Sequence, residues 1–190
     1  MNTKFLSNHA ESIQWPLWHI LWVATILIAF WLAKAHFSYT LGNKAYFHTD
    51  ETTEQVSMFA SKYHVENGFF KNYLLPTFPP LGTDNDGKPI SQPFVYTHYI
   101  GFPDLVLGLW LKVVGFDSIW TGRLLPLTLT TLVLLWLTFE FAAYVRSSLA
   151  SCIFLSLLMI PRSLTSLSTA FHGYGYVMAF YLALIAGMLA

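Results

Sequence analysis

Polar and apolar positions are unevenly divided along this chain. Four apolar runs stand out, and most of the charge lies between the first two. The first run, Trp15 to Ala33 (WPLWHILWVATILIAFWLA), has 19 residues and no Asp, Glu, Lys or Arg. At about 1.5 Å per residue it is long enough to cross roughly 30 Å of hydrocarbon. Trp15, Trp18, Trp22 and Trp31 cluster near its ends, as interfacial anchors do. A cleaved signal peptide fits less well, because the apolar region is too long and no small-residue cleavage site follows. The second run spans Leu124 to Val145. The third, Leu149 to Ile160, spans only if its helix continues past Pro161. The fourth runs from Tyr174 to Ala190. The pattern predicts an all-α, polytopic membrane fold with about four spans (15–33, 124–145, 149–168 and 174–190). A large first loop, residues 34–123, connects the first two. A chain stopping inside an apolar helix is expected to be the N-terminal part of a longer membrane protein.

The loop holds eight of the ten acidic residues yet is rich in Phe, Tyr and Leu. From Phe47 to Leu75 an amphipathic helix is predicted, with Val56, Phe59, Ala60 and Tyr63 on one face. Asp50 stands at its N-cap, and Glu51 and Glu54 in the favourable first turn. The segment from Pro76 to Pro93 carries five of the nine prolines and two glycines, which predicts turns. Its run Asp84-Asn85-Asp86-Gly87 lacks the first and last ligands of a calcium loop and reads as an Asp-Gly turn. From Phe94 to Gly115 the chain is too interrupted for a span and too apolar for water. A helix lying in the membrane interface is predicted there, with Pro103 in its first turn.

Composition agrees with a lipid environment. Of 190 residues 55% are hydrophobic and 11% charged, against about a quarter charged in soluble domains. The net charge is zero, which gives no footprint for nucleic acid. Cys152, the one cysteine, forms no internal disulfide and reads as apolar filler. Long loops cross membranes largely regardless of charge, so the short flanks vote on orientation. Lys4 and Arg146 put the N-terminus and the second turn in the cytoplasm. The loop 34–123 and the turn 162–173 then lie outside. Glu140, inside the second span, costs about 2.5–3.5 kcal/mol to bury on insertion scales. It is expected to pair with Arg146 or to face other helices.

Candidate chemistry gathers on the outer side. Asp50 and Glu51 are adjacent carboxylates beyond the first span, able to accept a proton or bind a divalent metal. Their plainer reading is a helix cap and a first-turn charge. His48, His98 and His172 fall on the same face but have no ligand spacing, so a metal site and ordinary hydrogen bonding both remain open. Arg123 and Arg162 stand at the outer ends of spans, suited to a phosphate or to simple anchoring. No nucleophile elbow, glycine-rich phosphate loop or cysteine pair occurs.

The order of these parts resembles the N-terminal half of the GT-C membrane glycosyltransferases. It is similar in particular to the branch of protein mannosyltransferases and of bacterial enzymes that transfer aminoarabinose or other sugars from polyprenyl phosphates. A span followed by HTDE, then YTHYIGFPDLVL, then LKVVGFDSIWTGRLLPL, then STAFHGYGY carry the likeness, from about Trp15 onward. Where many relatives have T-H-x-P-P this chain has THYIGFP, and the family's later helices lie beyond it. The resemblance implies an inverting transfer from a polyprenyl-phosphate sugar to a hydroxyl acceptor at the extracytoplasmic face of a bacterial inner membrane. Asp50 would be the general base, its pKa raised by burial or crowding. Glu51 and His48 would support it, and Arg123 and Arg162 would offset the leaving phosphate. The resemblance leaves metal dependence undecided. The expectation from another class is a non-catalytic subunit packed in a larger membrane complex. A transporter is a third, hinted at only by Glu140 and Pro161.

Overall fold

The computed structural model describes residues 13–42, 51–70, 75, 77–78, 88, 94–95, 102–115, 119–160 and 174–190, with only the backbone at 51–55, 78, 94 and 174–176. Among these residues the fold is helical: α1 (Leu17–Leu41), α2 (Glu51–Asn67), α3 (Phe102–Val114), α4 (Ile119–Val145), α5 (Ser148–Leu158) and α6 (Tyr174–Leu189). A two-residue antiparallel ladder between α2 and α3 pairs Thr77 with Val95 and Phe78 with Phe94.

Helix α1 has 25 residues and α4 has 27, and both are apolar enough to cross a membrane by length and composition. α1 runs eight residues past the apolar stretch, from Lys34 to Leu41, because nothing in that segment breaks a helix. It stops at Gly42, whose φ of 59° and ψ of −125° suit a residue without Cβ. The Gly42 N–H then caps the carbonyls of Ser38 and Tyr39.

The other two expected spans differ. α5 ends at Leu158, so its 11 residues reach about 16 Å, half the hydrocarbon thickness. The cause is Pro161, which offers no N–H and disfavours helical backbone at Ile160. Met159 and Ile160 close the end by bonding back three residues, to Ser156 and Leu157. Residues 161–168 of that expected span lie outside the described ones. α6 is likewise a shorter apolar helix.

α4 is the hub. One core joins Val23 and Leu27 of α1, Leu134 and Leu137 of α4, Cys152 and Leu155 of α5, and Leu182 and Ala186 of α6. Cys152 is filler there, fully buried, its Sγ 3.7 Å from the His19 carbonyl oxygen. A second cluster, Leu107, Leu111 and Leu125, fastens α3 to the first turns of α4. The Trp110 indole adds a hydrogen bond of 2.9 Å to the Thr121 carbonyl. Within α4, Glu140 accepts a 2.8 Å hydrogen bond from Trp136 one turn back rather than pairing with Arg146.

The buried face of α2 departs from the sequence expectation. Ala60 and Tyr63 are buried as predicted, but Phe59 is exposed. The fully covered stripe is Ser57, Ala60, Ser61 and His64, mostly small or polar. Small side chains let α3 come close: a Cβ added at Gly108 would lie 3.1 Å from the Ser61 carbonyl oxygen and 3.2 Å from Phe69 Cε1. The Ser61 hydroxyl bridges the pair, donating to the carbonyls of Ser57 at 2.6 Å and Asp104 at 2.9 Å.

Candidate functional site

Of the seven candidate residues, Arg123 has a described side chain. Glu51 opens α2 with its backbone alone described, and His48, Asp50, His98, Arg162 and His172 lie outside the described residues. So do the N-cap role given to Asp50 and, apart from Thr77, Phe78 and Lys88, the turn-rich segment with its Asp-Gly run.

Arg123 sits in the second turn of α4 and is fully buried rather than open at an interface. Its Nη1 donates a 3.0 Å hydrogen bond to the carbonyl of Gly42, the residue that ends α1. Three residues earlier, the Trp120 ring meets Tyr39 of α1 edge-on at 5.5 Å. Together they tie the start of α4 to the end of α1, where the chain departs toward residues 43–50. A buried guanidinium bonded to a backbone carbonyl is a brace, and that geometry gives it a holding role beside any effect of its charge.

Other polar groups missed by the sequence reading gather at this end. Ser38 is buried and its hydroxyl makes no hydrogen bond among the described residues. Asp104 is buried in α3. The readable signal was an acid inside an otherwise apolar helical run, FPDLVL. His64 is fully buried, and neither ring nitrogen makes a well-formed hydrogen bond. Loss of solvent holds its pKa below the ordinary 6.5, and the nearby Leu75 backbone offsets only part of that.

At the opposite end of the bundle, His19 of α1 is buried with Nδ1 2.7 Å from the Ser148 hydroxyl at the start of α5. Its Nε2 has no hydrogen-bond partner among the described residues. The Ser151 hydroxyl donates to the Thr138 carbonyl beside it. A histidine inside an apolar run was the available signal, but its partner lies 129 residues away.

Between α1 and α4 runs an apolar groove of about 380 Å³, flanked by Trp15, Leu27 and Trp31 on one side and Leu132, Leu135 and Phe139 on the other. Its one polar lining residue, Thr131, spends its hydroxyl on the Leu127 carbonyl. Among the described residues no three or more His, Cys, Asp or Glu group as metal ligands. Compared with family models, curated proteins and solved structures, the chain matches none.

Proposed function

We propose that this chain is the N-terminal part of a polytopic bacterial inner-membrane glycosyltransferase of the GT-C kind. The membrane half of the reading is supported by what α1 leaves uncovered. Leu17, Trp18, Ile20, Leu21, Trp22, Ile28 and Leu32 are all exposed, a surface suited to lipid and unsuited to water. The four spans, the extracytoplasmic loop 34–123 and the cytoplasmic N-terminus belong to this proposal.

The observation that carries the enzymatic half is the start of α2 at Glu51, shortly after α1 ends at Leu41. This agrees with an acidic pair, Asp50-Glu51, at the head of the helix that follows the first span. A carboxylate at a helix N-terminus is ionised at neutral pH and so has a free oxygen to accept a proton, while burial or crowding would have to offset the helix end to give it the basicity the reaction needs. In the proposed reaction the acceptor oxygen bonds to the anomeric carbon as the bond from that carbon to the phosphate oxygen breaks. Asp50 takes the hydroxyl proton, and the polyprenyl phosphate leaves with inversion. In this reading Glu51 and His48 would support Asp50, His98 and His172 would bind substrate, and Arg162 would offset the charge of the leaving phosphate. Arg123 contributes by bracing the end of α1.

A second reading has its own observation. Arg123 donates to the Gly42 carbonyl, and the groove between α1 and α4 is apolar apart from Thr131, whose hydroxyl is already bonded to the Leu127 carbonyl. Both suit a non-catalytic subunit of a larger membrane complex. Sugar transfer by the full-length protein, purified in detergent and supplied with a panel of polyprenyl-phosphate sugars, separates the two. Loss of a general base costs about 10²–10⁴-fold, the expected effect of Asp50→Asn in an otherwise intact protein. An inert native protein would favour the subunit, and full activity in Asp50→Asn would return that residue to helix capping.

A further inference from the structure

Helices α1 and α4 run side by side but do not close on each other, and the groove of about 380 Å³ stays open between them. Two aromatic contacts bound it. At one end the Trp15 ring meets Phe139 at 4.8 Å between centroids, and at the other the Trp31 indole donates a 3.2 Å hydrogen bond to the Thr128 hydroxyl. Its floor is Val23 and Leu27, both buried, and the small Ala24 leaves room at its middle. Its α4 wall, from Thr131 to Phe139, is about 12 Å long. At about 30 Å³ per heavy atom, the share of a water in its liquid, the space takes about a dozen heavy atoms, one hydrocarbon chain. A helix with its side chains is about 10–12 Å across and would fill roughly 1,000 Å³ over the same length, so the groove does not seat one. Along α1, Leu27, Trp31 and Lys34 follow at spacings of four and three, one face of the helix. Lys34 therefore stands at the mouth of the groove, just past Trp31.

We propose that this groove is a binding site for one acyl chain of an anionic phospholipid, whose phosphate is met by Lys34. The proposal rests on the membrane reading of α1 and α4, not on the glycosyltransferase reading. Three observations choose the occupant. First, the one polar lining residue, Thr131, gives its hydroxyl to the Leu127 carbonyl, so what fills the groove is hydrocarbon along its whole length. Second, the charge stands where a headgroup would. No Asp, Glu, Lys or Arg occurs in α1 before Lys34, which follows the last apolar residue of the run. Its ammonium lies 5.8 Å from the Phe37 ring centroid, and the side chain is half-buried along the helix. A cation at that level attracts anionic lipid. Third, the groove is one chain wide and stopped by the Trp15–Phe139 contact, so a chain lies within it, touched by both helices, rather than passing across it. A polyprenyl phosphate would bring the same phosphate on a longer chain, and the test separates the two.

The test is photolabelling of the full-length protein, reconstituted in vesicles of phosphatidylethanolamine and phosphatidylglycerol. Two probes carry a diazirine in one acyl chain: phosphatidylglycerol, which is anionic, and phosphatidylcholine, whose choline offsets its phosphate. Labelled residues are read by mass spectrometry of peptides. Ile28 reports the groove, and Phe180 of α6, exposed and outside it, reports the surrounding lipid. The glycerol-to-choline labelling ratio at Ile28 is expected to be about fivefold above that at Phe180, the effect of one lysine near an anionic headgroup. Lys34→Gln should bring the ratio at Ile28 down to that at Phe180. Ala24→Phe, which fills the groove, should cut labelling of Ile28 by both probes several-fold and leave Phe180 unchanged. Equal ratios at Ile28 and Phe180 in the native protein overturn the proposal, because the groove then meets only passing lipid. Labelling of Phe180 without Ile28 overturns it too, since a protein then covers the groove. Loss of the Ile28 label on adding a small proportion of polyprenyl phosphate would assign the groove to that carrier instead. If neither residue is labelled, the membrane reading itself fails and takes this proposal with it.

Discussion

Gly108→Ala tests the closeness of α2 and α3 with one added carbon. In a helix interior the exchange alone gains about 1 kcal/mol, since alanine loses less backbone freedom on folding. Here the new Cβ would stand 3.1 Å from the Ser61 carbonyl oxygen and 3.2 Å from Phe69 Cε1. The Phe69 ring can turn aside. The carbonyl cannot, because it belongs to the backbone of α2, so the helices must part by a few tenths of an ångström. Parting them strains the bond from the Ser61 hydroxyl to the Asp104 carbonyl, 2.9 Å in the native protein. Overpacking of this kind costs about 1–3 kcal/mol. Cost exceeds gain, leaving a net loss of about 1 kcal/mol. At tenfold per 1.4 kcal/mol, that is about fivefold faster amide hydrogen exchange in α2. Exchange in α5, which has no contact with Gly108, should stay unchanged. Slower exchange in α2 of Gly108→Ala would show slack between the helices and refute the argument from close approach.

Other outcomes follow from buried polar groups. His64 is neutral in the fold because its pKa lies below 6.5, so the unfolded chain binds the proton first as pH falls. The stability of the α2 region should be full above pH 6.5 and decline as pH drops from there toward the depressed folded value. His64→Leu should flatten that dependence in melts run from pH 7.5 to 5. Ser148→Ala removes the hydrogen bond between the buried His19 ring and the Ser148 hydroxyl and should cost about 1–3 kcal/mol in thermal unfolding. The double variant His19→Leu with Ser148→Ala should recover part of that loss, because no buried donor or acceptor is then stranded. A double variant less stable than Ser148→Ala alone would instead assign the effect to packing.

The sequence showed the two long helices because a membrane-length apolar run is a strong, local signal. It showed less of where helices end. The extension of α1 from Lys34 to Leu41 is polar enough to look like loop, yet only Gly42 stops it. The face of α2 was misread for a different reason. Hydrophobic periodicity finds faces that avoid water, whereas α2 packs by closeness, burying the small Ser57, Ala60 and Ser61 and setting the Ser61 carbonyl against Gly108. The side chains of the candidate site were legible as residue types in order, and only Arg123 can be compared with its described surroundings. Its charge suggested a ligand. Its partner, the carbonyl of Gly42, lies 81 residues earlier, a pairing that no local pattern encodes.

Pro126 divides α4 mechanically. With no N–H to offer, it leaves the helix one rung short at the Gly122 carbonyl, well before the bundle core takes hold on α4 at Val133 and Leu134. Above that gap, the first turns are clasped by Trp110 of α3 and clasp the end of α1 through Arg123. Below it, the remaining turns are packed into α5 and α6. The end of α1 and α3 are therefore joined through the same first turns of α4, so a load on α3 meets those turns before it meets the core that α1, α4, α5 and α6 share.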